Sequence, residues 1–174
     1  MNKKRTITTI IIILVVFAVL YAIASFISFK NRVPMVIPNP EPIDQVVYIN
    51  TEYGFNIVLP LDWKGYSIIA SRWQGTSVND ATAKKYEGPE ISIRHPLWTK
   101  ESPRQDIPIM VFTPSEWDLI QQEKLSLGAA PIGPSELDRN AKYIFALPAR
   151  YDFAYPTGFE EVEKIIADKT FHAF

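Results

Sequence analysis

Arg94, His95, Trp98, Lys100 and Arg104 fall within eleven residues of one another in the run ISIRHPLWTKESPRQDIP. A guanidinium can hold a carboxylate through two parallel hydrogen bonds, and tryptophan and arginine are frequent anchors at interfaces. The spacing places these groups at the end of a strand and in the loop that follows, where a rigid sheet commonly presents functional residues. Two chemistries follow. As a binding site, the five residues suit a partner protein or a small acidic ligand. As a hydrolase-like centre, His95 would work beside Arg94 with a carboxylate such as Glu90 or Asp106, which requires His95 to face a cleft about 3 Å from an acid or hydroxyl. The architectural alternative has Trp98 filling the core and the cations solvated.

Other chemistries find little to build on, and no catalytic residue is assigned. The chain has no cysteine, which excludes thiol catalysis, disulfides and a lipidated N-terminal cysteine. No Gly-x-Ser-x-Gly is present, and the 7 glycines do not gather into a phosphate loop. His95 and His172 are 77 positions apart, with no His-x-x-x-His spacing and no neighbouring carboxylate cluster, so neither a metal nor a cofactor is expected. Glu160, Glu161 and Glu163 read as the solvated face of a helix, and His172 as a partly buried structural residue. Two further stretches stand out. SLGAAPIGPSEL, residues 126–137, is apolar for a loop and reads as packing, or else as a partner surface or lid. In ARYDFAYP, residues 149–156, the alternating Tyr151, Phe153 and Tyr155 read as half-buried packing.

The elements that must position these groups are mostly strands. Residues 46–49 are β-branched and aromatic. FNIVLP sends Phe55, Ile57 and Leu59 to one face and ends at Pro60; Gly54 allows the turn before it, and Trp63 caps its end. Residues 65–73 form another strand candidate. In PEISIRH, Ile91, Ile93 and His95 share one face, with Glu90, Ser92 and Arg94 on the other. IPIMVF follows, its Pro108 marking a strand start or a sheet edge. AKYIFALP supplies a strand with Tyr143, Phe145 and Leu147 on one face, and KTFHAF closes the chain. TPSEWDLIQQEKL predicts a helix with Thr113 as N-cap, Pro114 in the first turn and Glu116 completing a capping box, with Trp117, Ile120 and Lys124 on one stripe. TGFEEVEKIIADK predicts a second, capped by Thr157 and Glu160, with Phe159, Val162 and Ile166 buried. This order favours an α+β fold, an antiparallel sheet with helices packed on it, over a doubly wound parallel sheet.

Residues 6–29 carry no charge and spell out a span of about 36 Å as a helix, enough for a hydrocarbon core of roughly 30 Å. Lys3, Lys4 and Arg5 in the short tail 1–5 favour a cytoplasmic N-terminus, although Lys30 and Arg32 follow the run. The expectation is a single-pass membrane protein, joined by a Pro-rich linker over 30–44 to an extracytoplasmic domain over 45–174. A cleaved signal peptide, cut after the AIA of residues 22–24, is the alternative. All 19 acidic residues lie beyond Arg32, while five of the 18 Lys and Arg lie at or before it, leaving the domain near −6. Nucleic acid is therefore a poor partner; the membrane, through the N-terminal helix, is an expected one.

YINTEYGFNIVLPLDW, residues 48–63, and FEEVEKIIADKTFHAF, residues 159–174, resemble the opening and the close of PsbP-like domains. The resemblance covers 32 of the 174 residues. It implies an α+β fold of that kind, in a family that includes exported bacterial proteins without an assigned role. It carries over neither a metal nor a photosystem function. On this reading the aromatics of the opening stretch are architecture, and the expected function is that of a membrane-anchored, non-catalytic binding or adaptor domain, with an envelope enzyme using the Arg94–His95 region as the alternative.

Overall fold

The computed structural model describes residues 45–78, 82–128 and 132–174. The apolar run 6–29 and the linker 30–44 lie outside the described residues, and no described helix is long and apolar enough to cross a membrane.

Among the described residues, nine strands and two short helices make a mixed fold dominated by antiparallel sheet. In chain order they are β1 (Gln45–Asn50), β2 (Phe55–Pro60), a 3-10 turn (Leu61–Trp63), β3 (Ser67–Ser77), β4 (Lys85–Arg94), β5 (Ile107–Phe112), α1 (Pro114–Gln121), β6 (Leu125–Ser126), β7 (Ser135–Arg139), β8 (Ile144–Leu147), α2 (Phe159–Ala167) and β9 (Phe171–Ala173). A three-stranded sheet runs β1-β2-β9 and a six-stranded sheet β6-β3-β4-β5-β8-β7, each pair antiparallel.

In the six-stranded sheet β5, β8 and the end of β4 are buried on both faces, which explains why they read as apolar runs, whereas β3 is exposed over residues 67–72. On one face Ile91 and Ile93 of β4, Ile107, Ile109 and Val111 of β5 and Phe145 of β8 meet Phe55, Ile57 and Leu59 of β2, Phe171 of β9 and Val162 and Ile165 of α2. On the other, Met110, Phe112, Ile144 and Ala146 pack with Trp73 and with Trp117 and Ile120 of α1. The alternation expected for β2 and β4 is present, and β8 proves buried on both sides. Pro108 falls at the strand start: β5 is central, but its pairing with β8 begins only at Met110, so a residue without an N–H is accommodated ahead of it.

Trp73 depends on a glycine. Its indole lies across Gly88, where an added Cβ would come within 2.5 Å of the ring, and its Nε1 donates to the Val111 carbonyl at 2.8 Å. A side chain at 88 would push the ring out of the second core.

Several local expectations need correction. α1 has the expected Thr113 capping box, but it stops at Gln121, so Lys124 is exposed beyond it. α2 is capped by Gly158, not Thr157: the Thr157 backbone is used in a bridge with Arg104, and its carbonyl accepts from Gln105 N–H at 2.9 Å. The buried stripe of α2 is Val162 and Ile165; Phe159 and Ile166 are half-buried. His172 faces outward from β9 and is exposed. Phe153 and Tyr155 are exposed rather than half-buried, although the Tyr155 ring meets Phe159 edge to face. The 126–137 stretch contributes Ser126 to β6 and residues 135–137 to β7.

Phe55→Ala in residues 45–174, measured by urea unfolding, is expected to cost about 3–5 kcal/mol, since the ring is fully buried. Gly88→Ala is expected to cost about 1–3 kcal/mol through displacement of Trp73.

Candidate functional site

Arg94 and His95 leave the end of β4 on opposite sides, as period-2 alternation requires. Arg94 grips Asp106: its Nε donates to Oδ1 and Oδ2 at 3.1 and 3.2 Å, and its Nη2 to Oδ2 at 2.7 Å. The guanidinium carbon also sits 3.9 Å from the ring centroid of half-buried Trp98. Bonding to Asp106 raises the pKa of Arg94 further. Arg94 is thus held from two directions, by a carboxylate and an aromatic face.

His95 is only 2% exposed. Its ring meets Trp63 edge to face, with centroids 4.9 Å apart, and its Nδ1 accepts the Leu97 N–H at 3.1 Å. Nε2 is buried without a hydrogen-bond partner among the described residues. Burial lowers the His95 pKa, and the Arg104 charge lowers it further against the opposing pull of Glu161 and Asp62. At neutral pH the ring is therefore uncharged, with its proton on Nε2, because Nδ1 is an acceptor.

Arg104 turns inward. Its Nη2 donates to Glu161 Oε2 at 2.9 Å, while Trp63 Nε1 donates to Glu161 Oε1 at 2.6 Å. The guanidinium lies over Gly158, where a Cβ would stand 3.1 Å from Nη2, and Gly158 has a φ of 83°. Glycine at 158 meets both demands, a left-handed backbone and room for the guanidinium. Lys100 is exposed on the loop between.

The five sequence candidates therefore do not form one face. Arg94 and Trp98 belong to one stacked unit with Asp106, and His95 and Arg104 to another built on Trp63 and Glu161. Glu161, read from the sequence as solvated, is half-buried at the centre of that second unit. The sequence signal for it was the register of α2: with Val162 and Ile165 as the buried stripe, Glu161 flanks it, one turn before Ile165.

Asp62, His95 and Glu161 bring potential ligand atoms within 4.8 Å of one another, a carboxylate grouping around His95 that spacing alone did not reveal. The donor set does not fit a metal centre. A metal needs a lone pair on the imidazole. Ligation at Nε2 would move the imidazole proton to Nδ1, the nitrogen that here accepts the Leu97 N–H, and Glu161 is already paired with Arg104. The two carboxylates named for a hydrolytic pairing are engaged elsewhere, Glu90 by Ser71 Oγ at 3.2 Å and Asp106 by Arg94; the acids that approach His95 are Asp62 and Glu161.

A concavity lies elsewhere, on the second face of the large sheet. It has a volume of about 610 Å³, a floor that includes Met110, Ile120, Leu125 and Pro148, and polar groups from Gln121 and Ser126. It lies beside the apolar loop singled out above, whose Ile132 lines it.

Comparison of the chain with protein-family models, with curated proteins and with solved structures returned no match.

Removing the Glu161 carboxylate strands two partly buried donors. Glu161→Ala is expected to lose about 2–3 kcal/mol in urea unfolding, the range for hydrogen bonds to charged groups. Glu161→Gln, which keeps an acceptor for Trp63, should lose less. A loss below about 0.5 kcal/mol for Glu161→Ala would mean the cluster is not holding the fold.

His95 gives a pH dependence of fixed sign. The unfolded ring has its ordinary pKa of 6.5 and the folded ring a lower one. Below pH 6.5 the unfolded chain takes up the proton first, so full stability is present above that value and falls as the pH drops towards the folded pKa. Melting temperatures between pH 7.5 and 5.5 should fall more steeply for the natural chain than for His95→Gln.

Proposed function

We propose that the protein is a membrane-anchored, extracytoplasmic binding or adaptor domain, non-catalytic, with the N-terminal run 6–29 as its anchor and a PsbP-like variant of the α+β fold. The anchor and the topology rest on the uncharged 24-residue run and the cations before it. The PsbP-like assignment rests on the opening and closing stretches.

The observation that carries the binding reading is the cavity of about 610 Å³, whose size lies in the range of ligand sites and whose lining mixes apolar side chains such as Met110, Ile120 and Leu125 with polar ones from Gln121, Glu123 and Ser126. It suits an amphipathic molecule or an apolar side chain of a partner protein. The acidic ligand expected from the Arg94–Arg104 run has weaker support, because both arginines already hold carboxylates.

The neutral dye N-phenyl-1-naphthylamine tests this reading with residues 45–174. The natural sequence should enhance its fluorescence, and Ala149→Trp, which fills the cavity wall, should abolish the enhancement without changing the melting temperature. Equal enhancement by both would remove the cavity as the binding site.

A further inference from the structure

The end of the domain at which β1 begins is also where the most exposed apolar side chains gather. Gln45 pairs with Pro60, and the turn after Pro60 carries the exposed Leu61. Trp63 of that turn packs on His95, and an added Cβ on Gly65 would stand 3.9 Å from Pro96, so the loop between β4 and β5 lies alongside. The loop between β8 and α2 joins the same end through the Arg104–Thr157 bridge and the bond from Gln105 Nε2 to the Tyr151 carbonyl.

On these two loops Phe153 is 75% exposed, Tyr155 71% and Leu97 66%, the three highest values among the large apolar side chains of the described residues. Packing accounts for little of this display: Tyr155 meets Phe159 edge to face, with centroids 5.0 Å apart, and remains largely in water. The backbone works against it: Arg150, Ala154 and Tyr155 have φ of 55°, 73° and 48°, in the left-handed region that non-glycine residues avoid. Strain of this kind persists where the surroundings enforce it and gathers at functional segments. The charges between the aromatics are mixed in sign: Lys100 and Arg150 alternate with Glu101 and Asp152.

Resting on the reading of residues 6–29 as a membrane anchor, we infer that this end of the domain lies against the bilayer, with Leu97, Phe153 and Tyr155 in the headgroup region. Aromatic and aliphatic side chains among balanced charges suit that zone, where rings are half in water and half in hydrocarbon. The occupant follows from where the chain enters. The described domain starts at Gln45, at this end, and fifteen residues of linker, 30–44, would span about 47 Å if extended as polyproline II. A tether of that length keeps the patch at high effective concentration above the lipid, so a contact too weak to recruit a free domain is enough.

The absence of cysteine makes the test direct. Single cysteines introduced as Leu97→Cys and Phe153→Cys, and as Phe174→Cys at the opposite end beside Gly54, each carry an environment-sensitive fluorophore. The full chain is reconstituted into phosphatidylcholine vesicles with and without a lipid bearing a nitroxide on its headgroup. The probes at 97 and 153 should be quenched several-fold more than the probe at 174, and adding Phe153→Asp should reduce quenching at 97. All three positions are exposed, so folding is spared. A chain that floats with the vesicles while all three probes are equally unquenched overturns the contact and leaves the anchor intact. The patch would then be a face for a protein partner. A chain that does not float overturns the anchor and the inference together.

Discussion

The Glu161 carboxylate is the constraint on which this end of the fold depends. Its two oxygens take donors from segments far apart in the chain, the Trp63 indole after β2 and the Arg104 guanidinium before β5. Both donors are largely out of water, where a charge-assisted bond is strong and a stranded donor is costly. Meeting both fixes the rotation of α2 about its axis, and that rotation sends Val162 and Ile165 onto the core. The same bond orders the helix start. Arg104 can reach Glu161 only across residue 158, which is why a glycine stands there and why the neighbouring Thr157 backbone pairs with Arg104 instead of capping the helix.

The opposite end is closed by hydrogen bonds of an asparagine amide and an aspartate. Asn140 Nδ2 donates to the carbonyls of Tyr53, Gly54 and Phe174, and Phe174 N–H returns to Gly54. Asp138 accepts from Ala173 N–H, tying the small sheet to the edge of the large one. The two sheets are therefore clamped at both ends around the Phe55–Phe145–Phe171 aromatic cluster. Between the clamps the central strands bury both faces. Among the described residues the second core is covered by the eight-residue α1 and short flanking segments, and the concavity lies on that side.

What was legible in the sequence was what local physics decides. Alternation located β2 and the core face of β4, and the Thr-Pro-Ser-Glu start located α1, because a capping box is satisfied within four residues. What was not legible depends on partners remote in the chain. Thr157 and Glu160 spell the same box, yet the Thr157 backbone is engaged by residues more than fifty positions earlier. Glu161 looks like its neighbours Glu160 and Glu163 until Trp63 and Arg104 arrive. The exposure of Phe153 and Tyr155 was hidden for a related reason: alternating aromatics suggest half-buried packing, whereas left-handed residues at 150, 154 and 155 break the strand geometry that alternation presupposes.

The same long-range pairing changes what this surface can recognise. An acidic ligand at the Arg94–Arg104 loop would have to displace Asp106 from a fork of bonds and a stacked indole, or Glu161 from the bond that orients α2. Each exchange replaces a prepaired carboxylate by an incoming one, with no gain in bond number and a loss of translational freedom. Only Lys100, among the cations of that loop, is exposed rather than engaged in such a pair. With its guanidiniums turned inward as ties, the loop presents the exposed Leu97 and the half-buried Trp98 at the same end of the domain as Phe153 and Tyr155. The cations that marked this stretch as a site for acids instead hold rigid a surface whose outward chemistry is apolar and aromatic.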